Sequence, residues 1–300
     1  MRLTREIGPS GARGRYIERM GVDLDPLART ALWTASMRAR EHVRTDRLFE
    51  EPLAQLLATD QGPQIMRGFE GEVQQGVEDP ALAVRTRFFD DAIGRAAGAG
   101  VRQFVLVAAG MDTRAHRLVW PGATVVFELD RRALLDLKQA LVSDAGVEAG
   151  CDLRPMGVDL LQDWTTPLLD AGFAPAEPTL WLAEGLLYFL SADERDQLLK
   201  EITRLSAPGS YLLADYVTQT SLDSPAMEAW RAKMAASGHP WKSGCDDSEG
   251  LFASMGWRAT VTAYGSPAAD YGRWTAMIGP GVTATRGRYL VTAVMDMSAV

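Results

Sequence analysis

Two cysteines and three histidines in 300 residues leave this sequence short of the side chains that build metal centres and disulfide frameworks. Cys151 and Cys245 stand far apart and outside any Cys-x-x-Cys context, so neither a zinc site nor a disulfide scaffold follows. No run of about 18 apolar residues occurs, and nothing is expected to span a membrane. The opening MRLTREIGPSGARGRY carries charge with no apolar stretch behind it, so no secretory signal is read. Cations are in deficit as well: 31 Lys and Arg against 39 Asp and Glu give a formal charge of −8. A chain devoted to gripping nucleic acid or anionic lipid needs a positive face, and this balance argues against both. Glycine is missing from one informative place. The stretch FVLVAAGMDTRAHRL, 104–118, has a single glycine where a dinucleotide-binding loop has three, and no GK[ST] follows. A cytoplasmic enzyme, monomeric or homodimeric and without metal, is the expectation.

What is present supports a large core, since 47% of residues are hydrophobic and 23% charged. Residues 1–15, rich in Gly and Arg, are expected to be mobile. A helical pattern runs over 26–57, with a second helix starting at Pro52, whereas 63–79 is poorly periodic. A further helix is predicted over 80–97, ended by Gly98 and Gly100. Beyond it the texture alternates. Apolar runs at 103–108, 124–129, 179–183, 210–216 and 289–295, with a further strand predicted at LRPMGV, are separated by helical stretches at 131–145, 164–171, 192–206 and 225–237. Strands separated by helices of this length predict βαβ units and a mainly parallel sheet. The simplest organisation is an N-terminal helical cap, 1–97, on an α/β domain, 98–300.

In such a sheet ligands bind beyond the carboxyl ends of the strands. The first strand end carries AAGMDT with Gly110, the second ends at Asp130, the third leads to Asp159 and Leu160, and the fourth to Glu184. An acid ending the second strand is placed to accept both ribose hydroxyls of a nucleoside. A phosphate loop would need several backbone N–H groups and usually several glycines. Alanines at 108 and 109 and carboxylates around the mouth favour instead a nucleoside cofactor without phosphate, and a positively charged one is welcome. S-adenosylmethionine fits that description.

The segments VRTRFFDDAI, LVAAGMDTRAHRL, FELD and LAEGLLYFL together resemble the leucine carboxyl methyltransferase family of S-adenosylmethionine-dependent methyltransferases, in its actinobacterial branch, which is common in natural-product pathways. The resemblance runs from RTALWTASMRARE to the last strand. It implies a Rossmann-like class I methyltransferase fold with a mostly parallel seven-stranded sheet. By position it implies that Arg85 holds the cofactor's methionine carboxylate and that Ala108 and Gly110 offer backbone to the cofactor. It further implies that Asp130 takes the ribose, that Asp159 and Leu160 flank the adenine, and that Glu184 lies near the amino group. The basic segment 38–40, with Arg40, matches a basic residue that approaches the site. Asp112 and Arg114 are expected to tie the loop or cap the next helix. His116 stands where an aromatic residue is usual, so it is expected to be a packing substitution.

On the acceptor side His239, Trp241 and Lys242 lie in a loop of the kind that faces substrate. Tyr188 and Tyr216 end the fourth and fifth strands. A carboxylate acceptor is already ionised at neutral pH and needs no general base, whereas a phenol or alcohol gains from one. With three histidines in all, O-methylation of a small-molecule carboxylate is favoured. Methylation of a hydroxyl, or of a protein or peptide C-terminus, stays open, as does a module that binds the cofactor without turnover. Modified tRNA is disfavoured by the charge.

Overall fold

The computed structural model describes residues 24–70, 79–274 and 287–296; the first 15 residues lie outside that set. One sheet is built from β1 (Gln103–Val107), β2 (Val125–Asp130), β3 (Asp152–Gly157), β4 (Thr179–Ala183), β5 (Tyr211–Val217), β6 (Trp257–Ala263) and β7 (Arg288–Met295). Their order is β3–β2–β1–β4–β5–β7–β6. The five strands β1 to β5 pair in parallel, and β7 runs antiparallel to both β5 and β6. The sheet is therefore mixed, its last two strands forming a reversed edge. Strand order changes direction between β1 and β4, which opens a crevice at their carboxyl ends.

QFVLV and TLWLA are buried along their whole length. That is the pattern of central parallel strands covered on both faces. Val105, Phe127 and Trp181 pack on one face with Leu198, Leu199 and Ile202. Phe104, Leu106 and Leu180 pack on the other with Val84, Phe89 and Ile93. By contrast, β6 (WRATVTA) alternates in burial and sits at the sheet edge, so it leaves no apolar run in the sequence.

The helices are α1 (Pro26–His42), α2 (Ala54–Ala58), α3 (Gln61–Glu70), α4 (Ala81–Gly98), α5 (Arg114–Arg117), α6 (Arg132–Asp144), α7 (Thr165–Asp170), α8 (Ala192–Arg204), α9 (Gln219–Leu222), α10 (Glu228–Ala236) and α11 (Ser248–Ala253). Local chemistry sets several of the boundaries. Asp25 caps α1 by accepting from Ala28 N, with Pro26 as the first helical residue. Ser191 and Glu194 close a capping box on α8. α3 corrects the reading of 63–79 as poorly periodic: its residues 63–70 are helical, with Gly62 and Pro63 in the first turn. Gly62 is needed there: a Cβ would collide with Ser36 Oγ and the Leu32 carbonyl of α1. α1 and α2 pack Leu32, Ala35 and Leu57 against Leu134, Leu137 and Leu141 of α6. No helix among the described residues is long and apolar enough to cross a membrane.

Candidate active site

A cavity of about 1620 Å³ opens at the carboxyl ends of β1, β2, β4 and β5. Its floor is the 108–112 loop, Asp130, Glu184–Gly185 and Asp215, and α1 supplies a wall with Ala31, Arg38 and Arg40. The loop is pinned to the end of β2. Ala109 N donates to the Leu129 carbonyl at 3.0 Å and Gly110 N donates to Asp130 Oδ2 at 2.6 Å. Ala108 (φ 56°) and Gly110 (φ 51°) both take the left-handed conformation. At Ala108 this costs on the order of 1–2 kcal/mol. At Gly110 a Cβ would also lie 3.2 Å from that of Ala31. The neighbour that a side chain there would meet is thus on α1.

Around the mouth runs a buried network of charge. Arg85 donates from Nε to Glu184 Oε1 at 2.9 Å and from Nη1 to Asp215 Oδ2 at 2.8 Å. Glu184 Oε2 lies 2.8 Å from Arg114 Nη1, and Arg114 also holds Asp90 at 2.7 Å and Asp112. Arg117 joins Asp90 and Glu51, which in turn faces Arg38 of α1. Four guanidiniums thus meet five carboxylates, leaving one negative charge in excess when all are ionised. Burial alone would raise Glu184, yet Arg114 and Arg85 hold it below the usual glutamate value. Burial pushes Asp215 above the usual aspartate value, although Arg85 and Gly185 N donate to it. Asp130 is likewise raised by burial, although Gly110 and Arg131 donate to it. A site of this sign suits a cation and repels a phosphate.

These residues fit S-adenosylmethionine. Each oxygen of Asp130 accepts one backbone N–H, from Gly110 and from Arg131 at 2.6 Å, which leaves lone pairs for two hydroxyl donors. The excess negative charge of the network matches a sulfonium. Comparison with known proteins agrees. The family model for leucine carboxyl methyltransferase matches residues 31–203, more than half the chain. The chain belongs to the leucine carboxyl methyltransferase family, a family of S-adenosylmethionine-dependent methyltransferases.

A protein of Parafrankia sp. (strain EAN1pec) described as an S-adenosyl-L-methionine-dependent methyltransferase is 42% identical over 255 residues, covering 78% of this chain and 82% of that protein. One of Mycolicibacterium smegmatis with the same description is 38% identical over 260 residues, covering 81% and 87%. Among solved structures, a DUF574 family protein from Streptomyces avermitilis superposes with a TM-score of 0.60 at 15% identity, covering 87% of this chain and 96% of that one. At that identity the likeness shows the fold alone, the class I methyltransferase architecture of the family.

Within this family member the cavity brings together Arg40, Arg85, Ala108, Gly110, Asp130 and Glu184 from the expected cofactor set, and Tyr188, Tyr216 and Trp241 from the acceptor set. Asp159 and Leu160 are not among the cavity's lining residues. Val158 N donates to the Asp130 carbonyl at 2.8 Å, which sets the pair at the neighbouring strand end, and Asp159 Oδ1 accepts from Leu161 N within its own turn. Lys242 and His239 do not line the cavity either. Lys242 turns to Glu194 of α8 at 3.1 Å, and His239 is buried with Nδ1 2.9 Å from the Ser237 carbonyl. Asp215 was not legible as a site residue, since it sits inside the apolar run LLADYV. Only the pairing of β5 beside β4 brings it to Arg85. Asp112 and Arg114 do tie the loop, and Arg114 also braces Glu184.

His116 packs half-buried beside the loop, with Nδ1 buried and without a partner among the described residues. Burial first, and Lys138 second, lower it to about 4. The unfolded chain takes up a proton near pH 6.5 while the native ring stays neutral down to about 4. Stability is therefore expected to fall as pH drops through that window, by about 1–2 kcal/mol once partial exposure is discounted. Urea midpoints at pH 7.5 and 4.5 should converge in His116→Phe. Equal slopes in both proteins would show that His116 is solvated.

Proposed function

We propose that the protein transfers a methyl group from S-adenosylmethionine to a carboxylate oxygen of a small-molecule acceptor, giving a methyl ester. The observation that carries this reading is the composition of the cavity wall: among its described residues there is no histidine and no cysteine. Burial holds Tyr188 up at about 12, which removes it as a base at neutral pH. A carboxylate acceptor needs none. The bound cofactor supplies an electrophilic methyl on a sulfonium, and a carboxylate can accept it without giving up a proton.

Under this reading Asp130 takes the ribose hydroxyls and Gly110 and Ala108 present backbone. Glu184 and Arg85 meet the amino acid end, with Arg40 approaching from α1. Asp159 and Leu160, one strand beyond Asp130, edge the adenine. Much of the rate comes from placement, up to about 7–11 kcal/mol in favourable cases. Within the expected cap region, α1 walls the cavity and α4 packs on the sheet.

A hydroxyl acceptor is the second reading, favoured by Asp215, a buried carboxylate on the cavity wall whose raised pKa suits a general base. Methyl-labelled cofactor offered with panels of carboxylic acids, phenols and short peptides separates the two. The first reading predicts label in an acid that is released as methanol by mild alkali. Label surviving alkali in a phenol would replace it with the second.

A further inference from the structure

Beside the charged floor the cavity has an aromatic side that the cofactor roles leave unused. Trp33 of α1 faces Trp230 of α10 with ring centroids 6.2 Å apart and planes at 48°. Trp230 meets Trp241 edge-on at 5.7 Å and 73°, and Trp241 lies 4.4 Å from Tyr188. Tyr188 in turn contacts Phe189 at 4.9 Å. All five rings line the cavity, and the three indoles and Phe189 are only half-buried. The rings come from α1, α10, the 188–189 turn and the loop at 241. α1 is fixed on α6, and the turn after α10 docks at the start of α1, where a Cβ on Gly238 would collide with Pro26. Trp241 Nε1 is buried with no hydrogen-bond partner among the described residues. At the polar end, Tyr188 OH accepts from Arg85 Nη1 at 3.4 Å, joining the wall to the charged floor.

We infer that this wall is the acceptor subsite and that its occupant is an aryl carboxylic acid, its flat ring packed among Trp33, Trp230 and Trp241. The inference rests on the acceptor reading above and narrows it. A saturated chain would gain from burial as much as a ring does, because that term follows area. Tilted indoles add a quadrupole term that only a π-system receives, about 0.5–1.5 kcal/mol for each ring pair. A site for a single drug-sized ligand occupies roughly 300–1,000 Å³. At about 1620 Å³ this cavity has room for a ring system beside the cofactor.

Calorimetry tests this directly with 2-naphthoate and its fully saturated decahydro analogue, titrated into the full chain with and without S-adenosylhomocysteine. The naphthoate is expected to bind roughly tenfold more tightly. That preference should vanish in Trp230→Ala and Trp241→Ala and return in part in Trp230→Phe, with S-adenosylhomocysteine binding in the same cell reporting a folded variant. Equal affinities for the two acids, no naphthoate binding at millimolar concentration, or a preference untouched by either alanine would overturn the inference. Ring preference in these titrations, with no methyl ester formed from naphthoate once S-adenosylmethionine replaces S-adenosylhomocysteine, would sustain the subsite and sink carboxylate methylation, so the two failures are separable.

Discussion

Arg114→Met is expected to destabilise the protein by about 3–5 kcal/mol, the range seen when one partner of a buried ion network is removed. Arg114 is 2% exposed and faces Asp90, Asp112 and Glu184 at once. Replacing a whole buried pair by apolar groups is often neutral, but here three carboxylates would stay behind with fewer partners. Its backbone is also committed, since Arg114 N donates to Asp112 Oδ1 and its carbonyl accepts from Trp120 Nε1. The loss should appear as a lower urea midpoint with an unchanged slope. The acid side should move too. Although burial raises it, the surrounding cations, Arg114 foremost and Lys138 next, bring Asp112 down to about 2. That native ion pair stabilises fully above the unfolded value near 4 and is lost as pH falls toward about 2. Without Arg114 the native carboxyl takes its proton at higher pH, so the acid-unfolding midpoint should rise. Arg114→Lys, keeping charge without the fork, should fall between the two. An unchanged midpoint in Arg114→Met would show that the network contributes nothing net.

Asp130→Ala is expected to weaken S-adenosylhomocysteine binding about a hundredfold. Two hydrogen bonds to a charged acceptor would be lost, each contributing about 1.5–3 kcal/mol, and part of that is recovered by water. Stability should also drop by about 1–2 kcal/mol, since the N–H groups of Gly110 and Arg131 lose their acceptor. Asp130→Asn keeps one acceptor and should retain part of both. If the folded Asp130→Ala protein binds the ligand as tightly as the wild type, the ribose does not sit at the end of β2.

The parts of the fold legible in the sequence are those whose burial leaves a pattern. β1, β2 and β4 announce themselves as apolar runs, and α4 and α8 carry recognisable ends. β6 was hidden because an edge strand alternates, and α3 because Gly62 serves a helix crossing that no local rule encodes. Similarly, the cofactor-side residues Arg85, Gly110, Asp130 and Glu184 follow from strand ends and from family likeness, and the cavity gathers all four. The network that holds them was not legible. Glu51 and Arg117, Asp90 and Arg114, or Arg85 and Asp215 lie far apart in the chain, and no local pattern pairs them. The aromatic wall shares that property, since Trp33, Trp230 and Tyr188 come from three elements that only the tertiary structure joins.

The most direct test is a calorimetric titration of the full chain with S-adenosylhomocysteine, followed by S-adenosylmethionine. The account predicts one saturable site for each, lost together in Asp130→Ala. Absence of heat at concentrations far above micromolar, with the protein shown to be folded, would contradict it.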